Sequence, residues 1–192
     1  GGIAHRNLFG SGRYLGLEFV GTSGRVQEQE LFITYREPFV GRYNVPVQLT
    51  IFQTDDATRK ETRLLQRGAS IEASKVAGYR TRWSLLYQYK ISECLEGDLC
   101  DAQEQDIINP GGDRSFLNIQ ISSITPTVFW DKRDDVIDPH RGFFTSASIE
   151  YAFPLFSARA NFLKEFVQGA WYLPISARNV IALSGRVGLI QP

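Results

Sequence analysis

The chain has 192 residues, and its 21 Lys and Arg balance 21 Asp and Glu, so no net charge directs it to nucleic acid or to a strongly charged partner. Mean hydropathy is -0.20, and no apolar run reaches the roughly 18 residues that would read as a spanning helix. Neither value excludes a membrane barrel, whose strands show only every second side chain to lipid, and 13 Phe, 8 Tyr and 3 Trp supply the rings of an interfacial girdle.

Taken in order, Gly1 to Gly12 is glycine-rich around Asn7-Leu8-Phe9 and reads as a flexible lead-in. A first strand follows over about Arg13 to Val20, with Leu15, Leu17 and Phe19 on one face. Gly21 to Gly24 is a turn. The next strand, Val26 to Arg36, sets Leu31, Ile33 and Tyr35 against Glu30, Phe32 and Thr34. Val45, Val47, Leu49 and Ile51 share a face of the third, and the fourth, Thr62 to Val76, is the most polar. The fifth, Thr81 to Ser92, alternates Trp83, Leu85, Tyr87, Tyr89 and Ile91 with Arg82, Ser84, Gln88 and Lys90, which is a lipid-out, water-in pattern. Glu93 to Ser115 is the longest loop.

Phe116 to Pro154 then forms a long hairpin. Leu117, Ile119 and Ile121 alternate with Asn118, Gln120 and Ser122, and Phe143, Thr145, Ala147, Ile149 and Tyr151 alternate with Phe144, Ser146, Ser148 and Glu150. Between them lies the charged turn Asp131 to Gly142, too polar for lipid. Strands over Asn161 to Tyr172 and Val180 to Ile190 end the series. No helical period of useful length appears.

The pattern predicts an all-β chain: an antiparallel up-and-down transmembrane β-barrel, here a partial barrel of about nine strands. The strands exceed the usual ~5–6 residues of soluble sheets and suit the ~9–11 of a tilted membrane strand. Nine is odd, and an open edge in lipid leaves backbone groups unpaired. The remaining strands are therefore expected after Pro192. The chain contains no Met, so it is expected to be a processed product or an excised part of a longer protein. A soluble β-barrel or sandwich that binds a ligand is the competing class.

Cys94 and Cys100 flank a short polar loop. A disulfide there would place the loop in an oxidising compartment; the alternative is two unpaired thiols. Asp131, Asp134, Asp135 and Asp138 lie close together, but without the order of a calcium loop and with Lys132 and Arg133 among them. They read as a solvated, salt-bridged turn shaped by Pro139 and Gly142. His5 and His140 belong to no catalytic constellation, and no nucleophile or phosphate-loop motif is present. Neither an enzyme nor a bound cofactor is expected.

Three stretches resemble a known family: Asn7-Leu-Phe-Gly-Ser-Gly12, Ile33-Thr-Tyr-Arg-Glu-Pro38, and Asp131-Lys-Arg-Asp-Asp135 with Asp138-Pro-His-Arg-Gly142 and the strand after it. Together they are similar to the first part of a BamA-type outer-membrane assembly barrel, in the superfamily that includes TamA and the two-partner secretion pores. Arg141-Gly142-Phe143 resembles the family's Val-Arg-Gly-Phe/Tyr motif only superficially, since His140 precedes it and it sits in an earlier turn.

The resemblance implies the N-terminal portion of a sixteen-stranded barrel, with soluble POTRA domains ahead of it in the intact protein. It implies the outer membrane of a Gram-negative bacterium, with outer-membrane lipids, nascent β-barrel proteins and accessory periplasmic lipoproteins as partners. The function would be insertion and folding of other barrels by strand addition at a lateral seam, with a polypeptide-secretion pore or porin as the alternative. Arg13, Leu15, Leu17 and Phe19 would form the substrate-strand edge. Asp131, Arg133, Asp134, Asp138, Pro139 and Gly142 would form a periplasmic turn motif, and the loop holding the cysteines would lie outside the cell.

Overall fold

A computed structural model describes residues 1–22, 28–42, 44–59, 62–78, 80–97, 118–176 and 179–192. Among them the chain forms one antiparallel sheet of ten strands in chain order. These are β1 (Gly2–Leu8), β2 (Arg13–Thr22), β3 (Glu28–Val40), β4 (Val45–Arg59), β5 (Thr62–Val76), β6 (Thr81–Gly97), β7 (Asn118–Asp131), β8 (Gly142–Ala152), β9 (Phe162–Ser176) and β10 (Asn179–Gln191). Each strand pairs with its sequence neighbours, so the sheet is a meander with open edges at β1 and β10.

The additional strand comes from the lead-in. Gly2 to Leu8 pairs with Arg13 to Glu18, although Ala4-His5-Arg6 conceals any alternation of apolar and polar side chains. Asn7-Leu-Phe-Gly-Ser-Gly12 spans the end of β1 and the turn into β2. Asn7, Gly10 and Gly12 take φ of 73°, 72° and 73°, a region that Gly enters freely and Asn more readily than most residues. The Asn7 Oδ1 accepts the Gly12 N–H at 2.7 Å and closes the loop.

Strand ends also differ from the sequence reading: β3 runs on to Val40 and β4 to Arg59. β6 runs on to Gly97, with Glu93, Cys94, Glu96 and Gly97 paired to Leu65, Leu64, Arg63 and Thr62, so the long link between β6 and β7 begins later than Glu93. Phe116 and Leu117 lie outside the described residues.

The sheet is a single layer. Its buried apolar side chains are Ala152, Ala158 and Ala170, whereas Leu49, Ile51, Ile71, Trp83, Leu85, Ile149, Val167 and Trp171 are exposed. A soluble sandwich would bury such residues against a second layer. Among the described residues no second layer packs on either face, so they do not form the competing two-layer class.

Candidate functional site

The two faces follow from register, because directly paired residues share a side. Ile33, Ile51 and Ala69 pair in a row, as do Leu49, Ile71, Tyr87 and Ile124. Trp83, Val128, Ala147, Val167 and Val187 continue that face across β6 to β10. The opposite face carries Thr34, Thr50 and Ser70, then Gln88 beside Ser123, and Gln48 beside Glu72. On this polar side Phe52 lies over Gly68, where an added Cβ would stand 2.9 Å from the Phe52 ring and 2.2 Å from the Tyr89 carbonyl oxygen.

One stretch of the apolar face inverts. On β7 the alternation is present, but Ile119 and Ile121 pair with Ser92 and Lys90 on the polar side, while Gln120 and Ser122 pair with Ile91 and Tyr89 on the apolar side. The structure makes these polar groups tolerable. The Tyr89 hydroxyl donates to Gln120 Oε1 at 3.0 Å, and the Tyr87 hydroxyl lies 3.1 Å from Ser122 Oγ. The link after β8 turns back over them. The Phe153 N–H donates to the Ser122 carbonyl at 3.0 Å, and the Phe156 ring meets Tyr89 edge-on at 5.8 Å. Ser122 is thereby fully buried.

The turn between β7 and β8 is densely hydrogen-bonded. Arg133 forks onto Asp131 through Nε–Oδ1 at 3.0 Å and Nη2–Oδ2 at 2.8 Å, and its guanidinium sits 5.0 Å from the Phe144 ring centre. Asp134 Oδ1 accepts N–H bonds from Asp135, His140 and Arg141 at 2.9, 3.0 and 3.0 Å. Those donors, the Arg141 N–H foremost, hold the Asp134 carboxyl below the usual carboxylate range. Asp135 Oδ1 accepts from Ile137 and Asp138, which lowers its pKa too.

Of the six turn residues named from sequence, Asp131, Arg133, Asp134 and Gly142 build this knot. Asp138 is exposed, with its carboxylate 3.8 Å from the His140 ring, and Pro139 completes the backbone. Sequence reasoning missed Arg80, at the β5–β6 turn. Its carbonyl accepts the Asp131 N–H at 3.0 Å and its guanidinium donates to the Arg133 carbonyl, joining two adjacent turns. A lone Arg after a glycine turn gives no sequence signal of this. Among the described residues no group of three or more His, Cys, Asp or Glu stands together as a metal site.

The four residues read from sequence as the open edge lie one strand inside it. Arg13, Leu15, Leu17 and Phe19 belong to β2, which is bonded to β1 on one side and β3 on the other. Arg13 instead donates to Glu37 on β3 at 2.5 Å. The free edge is β1, because the lead-in is itself a strand. Cys100 lies outside the described residues, and so does its pairing with Cys94.

A single-layer antiparallel meander with one apolar and one polar face defines a wall segment of a transmembrane β-barrel. The chain belongs to the Omp85 superfamily, whose domain matches residues 7–192. No curated protein sequence matches it. Among solved structures it is similar to the crystal structure of BamA from Haemophilus ducreyi lacking POTRA domains 1–3, with a TM-score of 0.77 at 18% identity. That match covers 98% of this chain and 37% of the BamA chain, so the fold is that of part of a BamA-type barrel.

Proposed function

We propose that the chain is part of the wall of an outer-membrane barrel that inserts and folds other β-barrel proteins by strand addition. The observation that carries this reading is the open sheet itself: large apolar side chains exposed on one face and unpaired backbone along β1 and β10. Each unpaired N–H or C=O costs several kcal/mol in hydrocarbon, so in a bilayer further strands meet both edges. Membership of the superfamily and the BamA-like fold support an insertase over an inert barrel.

Orientation follows from link length. Outer-membrane barrels have short periplasmic turns and longer outer loops. The β1–β2, β3–β4 and β5–β6 turns and the Asp131 knot share one end, and the 98–117 link stands at the other. The knot end is thus the periplasmic one, where accessory lipoproteins would dock.

In this orientation β1 runs toward the periplasm. A barrel whose first strand rises from the periplasm then has an odd number of strands ahead of β1, and the seam strand is among them. A photocrosslinker at Leu15 or Leu17 in the intact protein is expected to leave nascent barrels uncaptured, while one on the seam strand captures them. Capture at Leu15 would overturn the placement. The proposed activity is checked by reconstituting the intact protein in vesicles and following the folding of a urea-denatured barrel substrate. A folding rate equal to that in empty vesicles would sink the insertase reading. The polar face, with Gln48, Glu72, Arg82 and Lys90, suits a water-filled lumen as well, and steady conductance with unaided substrate folding would favour a secretion pore.

A further inference from the structure

Glu165 stands where the wall is otherwise apolar. Its direct partners on β8 and β10 are Ile149 and Leu189, and Leu163 and Val167 flank it along β9 on the same face. Ile149, Val167 and Leu189 are about half exposed, at 47%, 49% and 53%, so the patch is bare and a carboxylate sits within it. Trp171, six residues further along the same face of β9, marks the interface at which indoles settle. Six residues at ~3.3 Å each, with a strand tilt of ~40°, put Glu165 about 15 Å deeper. The apolar band of a barrel is about 25 Å tall, so about 10 Å separate this carboxylate from the far boundary.

The described chain does not compensate this charge. Lys164, the neighbour in sequence, points to the polar face, where its ammonium lies 3.9 Å from Glu150. Arg13 and Arg67 share the apolar face with Glu165, but each already meets a carboxylate at 2.5 Å, Glu37 and Glu93 respectively. Among the described residues no cation or hydrogen-bond donor reaches the Glu165 carboxylate. A lone carboxylate in hydrocarbon is destabilising, and such groups mark places where a membrane protein meets something other than lipid.

We infer that the β8–β10 stretch of the apolar face is a docking surface for a second membrane protein, which brings a lysine or arginine to Glu165. Charge complementarity selects this occupant. The amines of lipid headgroups stand at the boundary and do not reach the carboxylate. A second copy of the chain, turned onto the patch by a two-fold axis, would set Glu165 against Glu165. Gly185 lies on the same face of β10 with nothing within 4 Å of an added Cβ, which leaves room for a partner's strand or helix to come close. The proposal rests on the membrane reading given above and goes beyond it.

Two measurements on the intact protein test it. In phosphatidylcholine vesicles, purified and without a partner, Glu165→Leu is expected to raise the urea midpoint, because it takes a lone carboxylate out of hydrocarbon. An unchanged midpoint puts Glu165 in water and overturns the proposal together with the membrane placement of this face. A lower midpoint shows that the rest of the barrel compensates the carboxylate and overturns the proposal alone. In cells, a photocrosslinker at Val187 is expected to give an adduct with one other outer-membrane protein. Glu165→Gln should cut its yield about tenfold or more, the scale for removing one side of a buried ion pair, and Glu165→Asp should keep it. Glu165→Lys should restore the adduct once a carboxylate replaces the partner's cation. No adduct, an adduct indifferent to Glu165→Gln, or an adduct with a second copy of the chain overturns the docking surface and leaves the membrane reading intact. Heat-modified gel mobility checks that each variant is folded.

Discussion

The Arg133 guanidinium and the Asp131 carboxylate, two positions apart, meet through a pair of parallel hydrogen bonds with side chains only 13% and 9% exposed. That geometry gives more than the loose pairing of surface charges, because both groups are mostly out of water and the fork fixes their angle. Arg133→Ala strands the carboxylate and removes the guanidinium from Phe144. The expected loss is about 3 kcal/mol, the scale for breaking one side of a largely buried pair. Arg133→Lys keeps the charge but not the fork and should fall between. Urea unfolding of the intact protein in detergent measures both, and an Arg133→Ala midpoint equal to the parent's would refute the assignment.

Gly142 is the one residue type its position admits. Its φ is +108°, and a Cβ there would stand 2.1 Å from the Lys132 carbonyl oxygen and 2.9 Å from the Arg133 Cα. Both obstacles are backbone of the knot and cannot swing aside. Gly142→Ala should cost at least ~2 kcal/mol from strain and displacement together. Gly185 on β10, with nothing within 4 Å of an added Cβ and no positive φ, is the control, and its alanine variant should stay within about 0.5 kcal/mol of the parent. Matching losses at the two sites would show that the turn geometry is not limiting.

Acid should loosen the knot. Asp134 is held below the ordinary carboxylate value by N–H donors, first among them Arg141. A lowered folded pKa means that the stabilisation is complete above the unfolded value of about 3.9. It declines as pH falls from there and is gone below the folded pKa. The amide resonances of His140 and Arg141 should therefore titrate with a midpoint under the free-aspartate value, and Asp134→Asn should abolish that titration. A midpoint at or above the ordinary value would remove Asp134 as the organising acceptor.

Much of this fold was legible because a strand in a one-layer wall writes its two environments directly into alternation. Trp83 to Ile91 shows it plainly, and Phe143 to Tyr151 does too. β1 was illegible for the converse reason: Ala4, His5 and Arg6 give no period, and only the Asn7–Gly12 turn geometry folds it back onto β2. The inversion at Ile119 and Ser122 was hidden as well. Alternation shows that two sets of side chains part, not which set meets lipid. That was decided by the hydroxyls of Tyr87 and Tyr89 and by the cover from Phe153 and Phe156, all distant in sequence from Ser122. The knot was half visible: its carboxylates stood out, but the tie from Arg80 depends on two turns becoming neighbours.

The direction of β1 fixes which links share a side of the membrane, and this is open to labelling. Ser11, in the β1–β2 turn, and Ile137, at the tip of the knot, belong to the same end of the sheet, while Ser157, in the link between β8 and β9, belongs to the other. Ile137 is 94% exposed, so a cysteine there is accessible without disturbing the Asp131–Arg133 pair. In cells expressing the intact protein, cysteines at Ser11 and Ile137 should resist an impermeant maleimide until the outer membrane is permeabilised. A cysteine at Ser157 should react at once. Were Ser11 to react from outside while Ile137 stayed protected, β1 and β2 would not both span the bilayer, and the parity that places further strands ahead of β1 would fail. Were all three to exchange sides together, the sheet would stand but its orientation would reverse.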